Sequence, residues 1–273
     1  MIDVHTHLHP PRLFAAIRRW FAEHSDWELS GPTEPADVAA ALRAAGVERF
    51  VFFSYAHKPG MAREINAWLA RTARDLGGAG VPLATVHPDD PGCVADIRQA
   101  LDDGCRGMKL HEDVQRVDAD DPRLTPVFDE LAARGAFLLV HAGAIPWAYV
   151  PGAGYGRILR VLERHPSLNV VVAHYGAPDS AAYFAAMDRY PRLHLDTTMV
   201  FAEQSPVRGE IGAFDAAPIV AHPDRVLYGT DFPNIPYPYE RERNGIAALG
   251  LPAEVERAVM HGNAARLLRE AGA

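Results

Sequence analysis

Ile2-Asp3-Val4-His5-Thr6-His7 is the stretch from which the fold and the site are interpreted. Its mixture of apolar and polar residues predicts a short β-strand, on which side chains alternate between the two faces. His5 and His7 therefore point the same way. Two imidazoles at that spacing can bind a transition metal, most simply zinc. Such a pair is also found at exposed strand tips and among buried, hydrogen-bonded histidines. Whether His5 and His7 bind a metal therefore depends on the residues at the ends of the other strands.

Short apolar runs recur along the rest of the chain, and most of them are followed by a helical stretch. They lie at 49–54, 82–86, 107–111, 137–141, 169–174, 193–196 and 226–228. With the opening strand they make eight strands, which predicts a (β/α)8 TIM barrel forming one domain over residues 1–273. The alternative is a doubly wound open sheet, but no glycine-rich phosphate loop follows any strand. We also predict a loop at 232–239 and Asn263 as the N-cap of a final helix.

Composition restricts the partners. The chain has 48% hydrophobic and 23% charged residues and a formal net charge of -8, without a basic cluster, so we expect no nucleic-acid partner. No apolar run reaches the roughly 20 residues that span a bilayer, and because the chain begins directly with a strand we expect no signal peptide. We therefore expect a cytoplasmic protein that acts on a small molecule and does not bind membranes. Cys93 and Cys105 make neither a disulfide framework nor a thiolate metal site. A homodimer through a helix face is compatible with the sequence.

The chemistry-bearing residues recur at strand ends, where barrel active sites lie. They are His5 and His7 on the first strand, Lys109 and His111 on the fourth, His141 on the fifth, His174 on the sixth and Asp231 after the eighth. One buried histidine is usually a core group, and Asp231 alone could be a turn or N-cap aspartate. The whole set is hard to explain by packing and predicts a metal site. Trp147, Tyr149, Tyr155 and Phe201 are candidate pocket walls.

Several motifs together resemble the amidohydrolase superfamily. They are Asp3-Val4-His5-Thr6-His7, Gly107-Met108-Lys109-Leu110-His111, Val140-His141-Ala142-Gly143, Val172-Ala173-His174-Tyr175-Gly176, Leu227-Tyr228-Gly229-Thr230-Asp231-Phe232-Pro233 and the closing His261-Gly262-Asn263-Ala264. The chain is most similar to the amidohydrolase-related branch that contains aminocarboxymuconate-semialdehyde decarboxylase. That resemblance implies one divalent metal, usually zinc with manganese as the alternative.

In that branch the matched positions imply His5, His7, His141 and Asp231 as ligands of the metal. His174 would stand beside the metal as an acid/base or oxyanion group, and Asp231 would also move protons, so these two are the predicted catalytic residues.

Lys109 has two interpretations. In other branches a lysine on the fourth strand, carboxylated by carbon dioxide, bridges two metals, and His141 and His174 then hold the second. We favour a single metal, with Lys109 binding the substrate or pairing with a nearby acid such as Glu112 or Asp113. His111 shares the face of Lys109 and is the second predicted substrate-binding residue.

Three functions remain. The first is a metal-dependent hydrolase of an ester, lactone or amide, in which metal-bound hydroxide is the nucleophile. The second is a non-oxidative decarboxylase of an unsaturated or aromatic carboxylic acid at the same site. The third is a zinc-stabilised binding protein, which is disfavoured because the ligands are scattered around an open mouth. Decarboxylases of this branch typically hold the substrate carboxylate with an arginine. The sequence places only Arg12 and Lys109 as cations near the open end of the barrel, and neither position matches that arginine, so we favour hydrolysis.

Overall fold

Eight parallel strands form a closed barrel in the computed structural model, which describes residues 1–142, 153–205 and 215–272. The strands are β1 Ile2–His7, β2 Arg49–Phe53, β3 Gly80–Pro82, β4 Gly107–His111, β5 Phe137–His141, β6 Asn169–Val172, β7 Leu193–Asp196 and β8 Val226–Leu227. They pair in the order β1-β2-β3 and β4-β5-β6-β7-β8. A bridge between Ala84 and Met108 joins the two groups. The Val4 amide donates to the Tyr228 carbonyl at 2.8 Å and joins β8 to β1. The predicted TIM barrel is confirmed.

Helices surround the strands. They are α1 Pro11–His24, α2 Pro35–Ala44, α3 Ala62–Asp75, α4 Cys93–Asp102, α5 Glu112–Gln115, α6 Thr125–Ala133, α7 Ala153–Arg164, α8 Ser180–Ala186, α9 Ala217–Ala221, α10 Glu240–Ala247, α11 Ala253–Arg257 and α12 Asn263–Glu270. In the described part of the chain, every helix is too short or too polar to traverse a lipid bilayer.

The core has two layers because strand residues alternate between two faces. One buried cluster contains Val51 and Phe53 of β2, Leu139 of β5 and Val171 of β6, with Leu267 of α12. The larger cluster contains the intervening strand residues, packed against the surrounding helices. The strands are thus buried on both faces, and their carboxyl ends carry the polar side chains that form the site.

Two local predictions are wrong. The third strand spans Gly80–Pro82, followed by a bridge at Ala84, instead of running to Val86. Pairing does not extend further because the Asn66 side chain accepts from the Thr85 amide at 2.8 Å and donates to the Thr85 carbonyl at 2.9 Å. Asn263 is not an N-cap, since a wide turn over Ala258–Gly262 joins α11 and α12. Its buried amide instead donates to the Val226 carbonyl at 2.8 Å and so braces the start of β8.

Candidate metal centre and adjoining cavity

The seam between β1 and β8 brings three predicted ligands together. Asp231 Oδ1 lies 3.0 Å from His5 Nε2 and 2.8 Å from His7 Nε2. Burial alone would raise the pKa of Asp231, but the two imidazoles outweigh it and hold that pKa well below 3.8. The carboxylate is therefore charged. Asp231 sits at a φ of 73°, a left-handed conformation that is strained for a residue other than glycine and is common at functional sites.

Asp196, at the end of β7, orients His5. Its Oδ2 lies 2.7 Å from His5 Nδ1, and its Oδ1 accepts from the backbone amides of His174 at 2.9 Å and Thr198 at 3.1 Å. Burial opposes ionisation of Asp196, yet its pKa is lowered by His5. A charged Asp196 can only accept, so Nδ1 of His5 carries a proton, and Nε2 is the nitrogen that would bind a metal. The sequence indicated Asp196 only as a residue near a strand end.

Tyr55 contacts the other ring of the pair. Its hydroxyl lies 2.9 Å from His7 Nδ1, and burial raises the pKa of Tyr55 well above 10, so the phenol is neutral. Burial also lowers the pKa of His7. His7 is therefore a neutral imidazole whose far nitrogen has a fixed hydrogen-bond partner, as metal-binding histidines require.

His174 follows β6 and closes the other side of the group. Its ring centroid lies 5.4 Å from that of His5. One ring nitrogen of His174, one ring nitrogen of His5 and one carboxylate oxygen of Asp231 lie within 4.8 Å of one another. Burial lowers the pKa of His174 to about 4. Its Nδ1 is buried and has no hydrogen-bond partner among the described residues. The backbone at His174 has a φ of 53°, so this residue is also held in a strained conformation.

His141 lies with a different set of neighbours. Its ring stacks on His111 at 4.0 Å between centroids and contacts His174 at 4.6 Å. The structure groups His141, His111 and Asp113 as a second set whose ligand atoms lie within 4.8 Å of one another. Burial lowers the pKa values of His141 and His111 well below 6.5. The assignment of His141 to the same metal as His5, His7 and Asp231 therefore stays a prediction.

Lys109 is buried beneath the site. It is 1% exposed, its Nζ lies 3.3 Å from His5 Nε2, and it stands 4.7 Å from the centre of the Phe53 ring. Burial lowers the pKa of Lys109 to about 7, against the attraction of Asp196 and Asp231. Lys109 does not line the adjoining cavity in the part of the chain that the structure describes. Its predicted contact with substrate thus has no direct support, whereas the predicted position of His111 on the cavity wall is observed.

A cavity of about 550 Å³ opens above these residues. His5, His7, His141, His174 and Asp231 form part of its lining, and an apolar wall faces them. That wall consists of Leu13, Ala16, Ile17, Trp20, Phe21 and Trp27, from α1 and the segment after it. Two of the aromatic residues predicted to line the pocket do not line this cavity. Tyr155 packs on Tyr183, and Phe201 packs on Tyr175. Trp147 and Tyr149 lie outside the described residues.

Arg116 is a cation on the cavity wall that sequence reasoning missed. It follows the four-residue helix α5 in the left-handed conformation, with a φ of 55°. It lines the cavity beside Asp113 and Val114, and none of the described acidic residues forms an ion pair with it within 4.0 Å. A four-residue helix leaves no periodic pattern, so the sequence held no indication that Arg116 reaches the site.

A sequence profile of the amidohydrolase family matches residues 2–269, and the chain belongs to that family. A relative is the 6-methylsalicylic acid decarboxylase of Penicillium expansum, 24% identical over an alignment that covers 97% of this chain and 95% of the relative. An uncharacterised TIM-barrel protein of Bordetella bronchiseptica superposes with a TM-score of 0.72 at 23% identity over 100% of both chains. A dihydroxybenzoic acid decarboxylase of Polaromonas, solved with bound manganese and the inhibitor 2-nitroresorcinol, has a TM-score of 0.69 and 15% identity. That superposition covers 98% of this chain and 96% of the Polaromonas chain.

The donor set at the seam fits a divalent metal. Two imidazole nitrogens converge on one carboxylate oxygen, and Asp196 fixes the tautomer of His5 that offers its lone pair. Nitrogen and oxygen donors without thiolate suit zinc and manganese alike. The identity of the metal stays a prediction.

Proposed function

We propose that this protein is a metal-dependent, non-oxidative decarboxylase of a hydroxylated aromatic acid. The observation that carries the proposal is the composition of the cavity. Among the described residues, it combines polar side chains that could bind a metal, a broad apolar wall on α1 and one cation, Arg116. An aromatic ring matches the wall, and a carboxylate matches the guanidinium, which binds such groups through two parallel hydrogen bonds. The relative from Penicillium expansum, a 6-methylsalicylic acid decarboxylase, supports the same substrate class.

Arg116 removes the objection on which hydrolysis was favoured. The sequence offered no arginine to hold a substrate carboxylate, and Arg116, which lines the cavity, is our candidate for this role. Hydrolysis of a neutral ester or lactone gives Arg116 no role. The decarboxylase alternative is therefore the better account of the site.

Different residues would bind the metal, the carboxylate and the aromatic ring. His5, His7 and Asp231 would hold the metal, with His141 as the further predicted ligand, and the metal when bound supplies a positive charge that stabilises negative charge on substrate oxygens. Arg116 attracts and orients the acid, and the apolar wall of Ile17 and Trp20 packs on the ring and excludes water.

The reaction exchanges a carboxyl group for a proton. The bond from the ring carbon to the carboxylate breaks, its electron pair stays on the ring carbon, and carbon dioxide leaves. One proton then completes the aromatic product. We assign the delivery of that proton to His174, which lines the cavity beside the charged Asp231. His174 suits this role because its Nδ1 has no partner among the described residues.

The test is turnover of the metal-loaded full chain with two sets of compounds. One set is 6-methylsalicylic and salicylic acid, followed by chromatography of the phenol product and by carbon dioxide release; the other is an aryl ester, a lactone and an anilide. We expect decarboxylation, with one deuterium incorporated at the former carboxyl position in heavy water. Hydrolysis of the second set that disappears in His5→Ala, without decarboxylation of the first, would contradict the proposal and restore the hydrolase interpretation.

A further inference from the structure

His9 and Ser54 form a buried pair beside the metal ligands. His9 is 1% exposed, Ser54 is fully buried, and His9 Nδ1 lies 2.8 Å from Ser54 Oγ. His9 lines the cavity, yet its Nε2 is buried and has no hydrogen-bond partner among the described residues. Buried polar atoms are nearly always paired, so an unpaired one facing a cavity indicates a ligand atom.

The proton positions of the pair follow from the same contacts. Within the described residues, the Ser54 hydroxyl has one hydrogen-bond partner, His9 Nδ1. If Nδ1 donated to Ser54, the serine proton would be buried without an acceptor. If Ser54 donates to Nδ1, the hydroxyl is satisfied and Nε2 of the neutral ring carries the proton. The second arrangement leaves one unsatisfied group, an N–H on the cavity wall.

The position of His9 indicates which part of a ligand meets this N–H. The centroid of its ring lies 5.6 Å from that of His7 and 5.1 Å from that of Phe14 of α1. His9 therefore stands where the metal ligands meet the apolar wall. An aromatic ring packed on that wall would present one edge to the metal ligands, and a substituent on this edge would come near His9.

We propose that His9, held in one tautomer by Ser54, donates a hydrogen bond to an oxygen substituent on the ring of the substrate. His9 thereby selects hydroxylated over unsubstituted aromatic acids. The aromatic acid itself rests on the proposed function. The donor state of His9 does not.

The first experiment measures the tautomer. Nitrogen-15 NMR of the full chain labelled at histidine and loaded with zinc distinguishes a protonated from an unprotonated ring nitrogen, and comparison with His9→Asn assigns the signals. We expect His9 to be protonated at Nε2 in the native chain and to populate both tautomers in Ser54→Ala. Protonation at Nδ1 in the native chain would overturn the inference, whatever the protein catalyses.

The second experiment measures selectivity with salicylate and benzoate as probes, by calorimetry on the zinc-loaded chain. We expect salicylate to bind about tenfold more tightly than benzoate, as one hydrogen bond allows. In His9→Phe this ratio should fall to about one, and thermal unfolding would verify that the variant is folded. An unchanged ratio in a folded His9→Phe protein would overturn the inference. Binding of neither probe would overturn the proposed function, and the NMR result would still decide the donor state.

Discussion

Asp196→Asn should change the orientation and protonation of His5 while every predicted metal ligand remains in the chain. Asp196 accepts three hydrogen bonds, one from His5 through Oδ2 and two from backbone amides through Oδ1. An asparagine retains one oxygen. If that oxygen keeps the two backbone amides, its NH2 group faces His5 Nδ1, which must then accept. The proton of His5 moves to Nε2, the nitrogen that faces Asp231, and no lone pair is left for the metal.

The expected loss follows from the role of such partners. Replacing the hydrogen-bond partner of a metal-binding histidine lowers metal affinity about 10- to 100-fold, or about 1.4–2.8 kcal/mol. Asp196 is fully buried, so water cannot substitute for the lost acceptor, and we expect the upper half of this range.

Competition with a chromophoric chelator would measure the zinc affinity of the purified full chain. Asp129→Asn is the matched control, because Asp129 Oδ1 contacts His165 Nδ1 at 2.9 Å on the outer face, away from the cavity. The control should bind zinc as the native chain does. A folded Asp196→Asn protein with zinc affinity within twofold of native would refute the orientation argument.

Further outcomes can be checked separately. Elemental analysis of untagged protein should give about one divalent metal per chain, whereas two would support the carboxylated Lys109 bridge. His174→Ala should keep its metal and lose turnover; a metal-free variant would instead place His174 among the ligands. Arg116→Ala should raise KM for an aromatic acid about tenfold with a smaller change in kcat, while Arg160→Ala, whose partner Asp120 lies outside the cavity lining, should change neither. Burial raises the pKa of Glu112 to about 7, so the folded chain binds an extra proton between pH 4.5 and 7 and this residue's contribution to stability falls as pH rises through that window. Glutamine does not titrate, so the Tm of Glu112→Gln should rise relative to the native Tm from pH 5 to pH 8. A difference that stays constant over this range would contradict the argument.

Local pattern was sufficient for the barrel and for part of the site. Val171 and Leu139 lie in continuous apolar runs, which are typical of strands that are buried on both faces. The carboxyl ends of parallel strands share one rim, so His5, His7 and Asp231 could be predicted to converge from their places in those runs.

Other features depended on contacts that no periodicity records. Arg116 reaches the cavity through a left-handed residue after a four-residue helix. The apolar wall on α1 reads in sequence as an ordinary amphipathic helix, and its packing side is decided only by the fold. Asn263 has the composition of a cap, yet a wide turn continues the helix through it. The homodimer and the cytoplasmic location stay predictions.

The seam between β1 and β8 has a consequence for how a metal would bind to this protein. His7 and Asp231 are 224 positions apart in the chain and meet only where the last strand closes on the first. The site that these two residues form is therefore complete only when β8 has paired with β1. A metal ion held by both residues would join β1 to β8, and at a concentration 100 times its Kd it would stabilise the closed barrel by about 2.7 kcal/mol. The metal-free chain is correspondingly the form in which this seam opens most readily.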